Sequence, residues 1–368
     1  MKILYSCLSD SWGGMEMYTL TAVKQLLKRN IYVELLCIAE SRIHIEANNL
    51  GIMIHPIKAS GYIHPFSTLK TAALIRNGKY NLIHTQASKD LWIFVPALCL
   101  LKSKIPLVLT KQMGSGIAKK DFLHKKIYNR VTKAVAISRT IKDNLLKTVP
   151  LTEDKIVLMH NGITIDKFDP AKTDKNKVRN EFDFGYDEIV IGMLARFSRG
   201  KGHEEFLYAA KELNKKHKNL KYLIVGEASR GEEDYADSIK KLAADYKLDN
   251  LIFAGFRSDT PDVLSAFDIF IFPSHAEAFG IALAEAMAMG LPSVCSNSDG
   301  VLDIAVDDET GYLFTTRDGE DLKNKTEKLI NSPETRTRFG IAARKRAVEH
   351  FDIEKLTDKV VELYNELI

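Results

Sequence analysis

Short runs rich in Val, Ile and Leu alternate with longer amphipathic segments along the whole chain. Strands buried on both faces read as near-continuous apolar runs, and parallel neighbours need a crossover, usually a helix. The alternation therefore predicts an α/β fold of parallel strands joined by helices. Strands are expected near 3–7, 32–38, 52–57, 81–85, 106–110, 134–137 and 156–159 in the first half. In the second they are expected near 189–195, 222–225, 251–254, 269–272, 293–296 and 312–314. At 368 residues the chain exceeds the roughly 250 that a single core usually serves. Two doubly wound, Rossmann-like sheets with helices on both faces are expected to face one another across a cleft. Residues 1–165 form the first domain, 166–187 a turn-rich, charged linker, and 188–350 the second domain. The amphipathic stretch 351–368 predicts a last helix that packs back on the first domain.

With 45% hydrophobic and 27% charged residues, the composition is that of a soluble globular protein. The longest nearly uncharged apolar run, 91–101, has 11 residues against the roughly 20 that span a bilayer, and predicts a buried helix. The N-terminal MKILYSCLSDSWGG has no small-residue cleavage site and suits a first strand rather than a signal peptide, so cytoplasmic residence is expected. Cys7, Cys37, Cys99 and Cys295 lie far apart in apolar stretches with no CxxC pair, which predicts buried free thiols rather than disulfides or a zinc site. Residues 1–185 hold 28 Lys+Arg against 15 Asp+Glu and the remainder 24 against 33, so the net +4 splits into +13 and −9. A basic half beside an acidic one points to an anionic partner of the first half, such as a membrane surface, a phosphorylated glycan or nucleic acid; scattered solvated lysines are the alternative.

Ligands of open α/β sheets bind where strands end in loops, so strand-to-helix loops carry the functional signal. After the first strand comes Ser9-Asp10-Ser11-Trp12-Gly13-Gly14-Met15-Glu16, in which Gly13 and Gly14 allow close backbone approach at a helix start. No GxGxxG is present, which disfavours a nicotinamide dinucleotide. The loop Leu194 to His203 holds Arg196, Arg199 and Lys201 with two glycines at a helix start, a site for a diphosphate or else a solvated basic turn. Its spacing is not the GxxxxGK[ST] of nucleotide hydrolases. In the run Pro273 to Pro292, Glu277 belongs to the loop after a strand and Glu285 to the second turn of the following helix. An unpaired carboxylate in so apolar a stretch needs a hydrogen-bonding partner, and two adjacent sugar hydroxyls can supply one; a salt bridge is the structural alternative. The run Leu82 to Asp90 ends a strand in polar residues, with His84 either a satisfied structural histidine or a ligand contact.

Taken together these segments resemble the retaining glycosyltransferases of family 4, the glycosyl transferases group 1 superfamily, which have the GT-B fold. The resemblance rests on Gly13-Gly14-Met15-Glu16, Ile83-His84-Thr85-Gln86, Asn161-Gly162-Ile163, Arg196 with Lys201-Gly202, and Gly255-Phe256-Arg257. It rests further on Glu277-Ala278-Phe279-Gly280 through Glu285 to Gly290-Leu291-Pro292, and on Asp308-Glu309-Thr310-Gly311-Tyr312-Leu313, and covers nearly the whole chain. It implies that Arg196 and Lys201 hold the diphosphate of a nucleotide-sugar donor and stabilise the departing charge. Glu285 then holds the ribose hydroxyls, while Glu277, with backbone N–H groups of Phe279 and Gly280 at the start of the helix that includes Ile281, orients the donor sugar. Gly13 and Gly14 close over the phosphates, and Arg257 sits near the base. Acceptor-side candidates are His84 and Gln86; family members often have a second histidine where this chain has Gln86, and Asp303 stands where they have a glutamate. No metal or other cofactor is implied, and no DxD strand end is present.

The function so implied is transfer of a hexose, with retention, from a nucleoside diphosphate sugar to a hydroxyl of a cell-surface glycan or glycolipid precursor of lipopolysaccharide or capsule type. A nucleotide-sugar epimerase on a similar scaffold and a non-catalytic sugar-nucleotide-binding protein are the alternatives. The expected partners are the donor, a glycan or lipid-linked acceptor and an anionic membrane surface, with no nucleic acid. The membrane expectation comes from GIAKKDFLHKKIYNRV, 116–131, which read as a helix puts Phe122, Leu123 and Ile127 toward one side among Lys119, Lys120, Lys125, Lys126 and Arg130. That pattern places the protein at the inner face of a membrane; a solvated helix packed on the sheet is the alternative.

Overall fold

The computed structural model describes residues 1–59, 61–229 and 231–368. It divides into two compact units, one of Met1–Gly162 with Ile353–Ile368 and one of Ile163–Asp352. In the first, the order is β1 (Lys2–Cys7), α1 (Gly14–Lys28), β2 (Tyr32–Ile38), α2 (Arg42–Asn49), β3 (Met53–Ile57), α3 (Pro65–Gly78) and β4 (Leu82–Thr85). Next come α4 (Leu91–Leu100), β5 (Leu107–Lys111), α5 (Phe122–Asn129), β6 (Lys133–Ala136), α6 (Arg139–Thr148) and β7 (Ile156–Leu158). All pairings are parallel, in the order β3-β2-β1-β4-β5-β6-β7. The central strands are buried almost throughout, as a sheet covered on both faces requires.

The second unit runs α7 (Lys175–Glu181), β8 (Ile189–Leu194), α8 (His203–Leu213), β9 (Leu220–Val225), α9 (Glu233–Asp245), β10 (Leu251–Phe253) and α10 (Thr260–Ser265). It continues with β11 (Ile269–Phe272), α11 (Ile281–Ala288), β12 (Ser293–Ser296), α12 (Val301–Ile304), β13 (Gly311–Phe314), α13 (Gly319–Asn331) and α14 (Pro333–His350). Its parallel sheet has the order β10-β9-β8-β11-β12-β13. The last helix, α15 (Ile353–Leu367), belongs to the first unit and packs on α1. There Arg29 of α1 donates to Asp358 Oδ1 at 2.6 Å and to the Glu354 carbonyl at 2.7 Å, and Leu363 and Tyr364 join the core of β1, β2 and α1.

Three local expectations differ from the structure. Residues 166–187 are not a free linker but part of the second unit. Arg179 of α7, 4% exposed, donates to Asp268 Oδ2 at 3.2 Å and to the carbonyls of Gly185 at 3.1 Å and Glu188 at 2.5 Å. The run of charges conceals these anchors, with Phe168, Val178 and Phe184 buried beside them. Second, the helix expected over 116–131 is only α5, eight residues long, because Asp121 caps it by accepting from Leu123 N and His124 N. Ile127 faces the interior at 7% exposure, whereas Phe122 and Leu123 point outward at 68% and 57%. Third, Cys99 is exposed in the last turn of α4, while Cys7, Cys37 and Cys295 are buried thiols. No helix among the described residues is long and apolar enough to cross a membrane.

Candidate active site

In the second unit the chain leaves β8 for β9 on one side and reaches β11 on the other, so the sheet order reverses between β8 and β11. At such a switch point the loops beyond the carboxyl ends of the two strands diverge and leave a crevice. Both donor-side motifs lie there, Arg196 to Gly202 after β8 and Pro273 to Gly280 after β11. Gly202 makes their approach possible. Its φ of +80° is the left-handed region, and a Cβ on it would stand 2.3 Å from the Pro273 carbonyl oxygen. The His275 amide donates to the Gly200 carbonyl at 2.8 Å, and its Nε2 lies 2.8 Å from Glu205 Oε1 on α8.

This tethering brings Lys201 and Glu277 into direct contact through an ion pair between Nζ and Oε1. Both side chains are largely enclosed, at 24% and 17% exposure, so the pair is stronger than one on an open surface. Arg196 is exposed, and its guanidinium makes no hydrogen bond or ion pair among the described residues. Arg199 lies over the Tyr235 ring instead. The loop beyond β12 buttresses the site: Gly300 N donates to the Glu277 carbonyl at 2.9 Å, and Ser296 and Ser298 donate to the Ser274 carbonyl.

Gly280, with φ +113°, begins α11, and Ile281 is its first residue. Phe279 is buried against Phe351, so its side chain anchors the turn. One turn further along α11, Glu285 is half-buried, and no hydrogen-bond or ion-pair partner meets its carboxyl among the described residues. Loss of solvation pushes this carboxyl up to about 7, with the Lys167 charge pulling the other way. A group that costs the apoprotein stability and has unused acceptor capacity is poised for a ligand with hydroxyl donors. Arg257 differs: its guanidinium is gripped by Asp259 at 2.7 and 2.9 Å and by Glu181 at 2.9 Å, which keep it charged. Asp303, on α12, is buried.

In the first unit the order reverses between β1 and β4. Gly13 and Gly14 begin α1 beyond β1, and Glu16 of its first turn is buried. The buried Asp90, which no motif singles out, ties the two strands by accepting from Ser6 Oγ at 2.6 Å, Thr85 Oγ1 at 2.7 Å and Leu8 N at 3.3 Å. His84 takes the structural alternative. Only 3% exposed, it contacts Tyr364 Oη through Nδ1 at 2.5 Å and Thr110 Oγ1 through Nε2 at 2.7 Å, and burial lowers its pKa to about 3. Gln86 is also interior, donating to Tyr5 Oη at 2.6 Å and accepting from Gln112 at 2.8 Å, which itself accepts from Asn161. A neutral imidazole with both nitrogens engaged is not a proton carrier for a ligand.

Comparison with known proteins agrees with this layout. The profile of the family Glycosyltransferase Family 4 matches residues 12–167, and that of Glycosyl transferases group 1 matches residues 174–346. The capsular polysaccharide biosynthesis glycosyltransferase CapM of Staphylococcus aureus is 29% identical over 64% of this chain and 61% of its own length. The UDP-Gal:alpha-D-GlcNAc-diphosphoundecaprenol alpha-1,3-galactosyltransferase of Escherichia coli is 23% identical over 82% of this chain and 79% of its own. Among solved structures, a glycosyltransferase from Rickettsia africae superposes with a TM-score of 0.90 at 25% identity, covering 100% of this chain and 98% of that one. Anabaena HepE in complex with UDP-glucose superposes with a TM-score of 0.84 at 20% identity over the whole of both chains.

Proposed function

Since this chain is a glycosyltransferase of the GT-B type, with homologues in capsule and lipopolysaccharide biosynthesis, we propose that it transfers a hexose from a nucleoside diphosphate sugar to a hydroxyl of a surface-glycan precursor, with retention of configuration. Support for the donor side comes from the loops beyond the carboxyl ends of β8 and β11, which carry Arg196 and the Lys201–Glu277 ion pair, and from Glu285 on the helix that follows, whose carboxyl has no partner among the described residues. Arg196 and Lys201 neutralise the diphosphate and stabilise the charge that grows on it as the sugar–phosphate bond breaks. Their two cations fill the role that a metal ion serves elsewhere, so no metal is included in the proposal. Glu285 accepts from the ribose hydroxyls. Glu277, set by Lys201 and by the turn at Gly280, accepts from hydroxyls of the transferred sugar.

Thermal melting with UDP and with GDP tests the donor assignment. A ligand at 100 times its Kd stabilises the fold by about 2.7 kcal/mol, so one of the two is expected to raise the melting temperature by several degrees. Absence of a shift with either overturns the donor site. Incubation with the preferred sugar nucleotide alone is expected to leave its sugar configuration unchanged; an epimerised product would replace transfer with epimerisation.

The proposal includes peripheral binding to an anionic membrane, where a lipid-linked precursor is presented. Support comes from Met113, Ile117, Phe122 and Leu123, all more than half exposed, on a stretch that also carries Lys119, Lys120, Lys125 and Lys126. Apolar residues beside lysines gain from insertion and from charge, on the order of 1 kcal/mol per cation. Sedimentation with liposomes is expected to bring down more protein as anionic lipid increases and less as salt screens it. Equal recovery in the supernatant with neutral and anionic vesicles at low salt removes the membrane from the proposal.

A further inference from the structure

We infer that His275, held by Glu205, is a positioning residue for the sugar-facing carboxylate of Glu277, an inference that rests on the donor assignment proposed above and deepens it. His275 stands in the loop after β11, two residues before Glu277, and Glu205 lies in the first turn of α8. Its Nε2 is 2.8 Å from Glu205 Oε1, and both side chains are largely enclosed. A carboxylate accepts, so Nε2 is the donor and the ring is fixed in one orientation. The main chain is tied at the same point, where the His275 amide donates to the Gly200 carbonyl at 2.8 Å. The loop after β11 therefore meets the start of α8 and the loop before it through two side-chain contacts of opposite sense. His275 reaches Glu205, and Glu277 reaches Lys201.

Glu205 is an unusual carboxylate for its place. A glutamate at the third helical position ordinarily turns back to a free amide at the helix start. Here Oε1 meets His275 instead, and Oε2 is buried with no hydrogen-bond partner among the described residues. Its one bond runs across to the β11 loop at the cost of an unmatched buried oxygen. The two ties also respond differently to a donor. A diphosphate competes with Glu277 for the Lys201 ammonium and so leaves the carboxyl to the sugar hydroxyls. What then fixes the backbone that carries Glu277 is the His275–Glu205 bond, with the contacts that Ser296, Ser298 and Gly300 make to the carbonyls of Ser274 and Glu277. An imidazole suits this task better than a lysine, because fewer torsions must be frozen to hold it. A shift of about 1 Å is enough to spoil the reach of a positioned group, so loss of the tie is felt where the sugar is held and not where the nucleotide is.

The test compares, by calorimetry on the full chain, the affinity of a nucleoside diphosphate with that of its sugar nucleotide. The probes are UDP with UDP-glucose and UDP-galactose, or GDP with GDP-mannose, whichever nucleotide the melting test selects. Glu277→Gln is expected to weaken the sugar nucleotide alone, by about tenfold or more, the size of one hydrogen bond to a charged group. His275→Ala and Glu205→Ala are each expected to show the same selective loss, several-fold, while the bare nucleotide binds as in the native protein. His275→Gln, whose amide still donates to Glu205, is expected to recover most of it. In a Glu277→Gln background His275→Ala is expected to add nothing, because the group it positions is gone. Unchanged discrimination in His275→Ala overturns the inference, as does an equal loss for nucleotide and sugar nucleotide, or a further loss in the Glu277→Gln background. A lower melting temperature with native discrimination makes His275 a structural residue and overturns it too. The donor assignment fails by different signs: native discrimination in Glu277→Gln removes Glu277 from the sugar, and no binding of either nucleotide by the native protein removes the donor site. In both cases the inference falls with the assignment.

Discussion

Replacing Lys201 with Ala is expected to lower turnover by about 10²-fold or more, and Arg196→Ala by a similar factor, with the fold intact in both. Removing one preorganised group from a developing negative charge typically costs 10²–10³ in rate. Lys201 has the stronger claim because its ammonium also holds Glu277, so Lys201→Ala removes charge from the diphosphate and leaves the sugar-facing carboxylate unrestrained. Arg196 is exposed and makes no hydrogen bond or ion pair among the described residues, with only its charge acting on Glu232, which predicts a nearly unchanged melting temperature. Turnover at saturating donor, measured beside thermal melting, checks both. Near-native turnover in either variant removes that residue from the diphosphate.

Glu285→Gln is expected to melt higher than the native protein at neutral and alkaline pH while losing most of its nucleotide affinity. The folded protein holds this carboxyl near pKa 7, above its ordinary value of 4.5, a preference for the neutral form worth up to roughly 3 kcal/mol. A raised pKa gives stability that is whole below the ordinary carboxylate range and is lost as pH rises through about 7. Glutamine keeps the neutral form at every pH, so the variant's advantage appears above pH 5 and levels off above pH 8. Nucleotide binding has the opposite sign, since ribose hydroxyls donate to the carboxylate. Native affinity is expected to fall about tenfold for each pH unit below 7, whereas the variant's stays flat. Calorimetric titration with the bare nucleoside diphosphate across pH 5–8 measures this. A pH-independent native affinity frees Glu285 of the ribose. Glu277→Gln is expected to keep nucleotide affinity and lose transfer, which separates the two carboxylates.

The strands were legible because each is a compact apolar run; all thirteen lie within two residues of their expected ends. The donor-side loops were legible for a related reason. A phosphate or a ribose is met by a few residues adjacent in sequence, so Arg196 with Lys201, and Glu277 with Glu285, fall inside short windows. Interior polar pairing was not legible. His84 finds its partner 280 positions away, in Tyr364, and no local pattern could choose between ligand contact and core. Arg179 lies within a charged run of the expected linker, yet its guanidinium satisfies three carbonyls and a carboxylate.

The chain order of the first unit bears on how it is made. The ribosome delivers β1 through β7 first, then all of Ile163–Asp352, and only afterwards the helix that carries Tyr364. At ~5–20 residues per second, the interval between the two parts is on the order of ten seconds or longer. During that time the His84 imidazole lacks its Nδ1 partner, Arg29 lacks Asp358, and the apolar face of α1 that receives Leu363 stands uncovered. A nascent chain stalled anywhere in the second unit therefore presents a sticky, half-built first unit, a substrate for chaperones rather than a finished scaffold on which the second unit could fold.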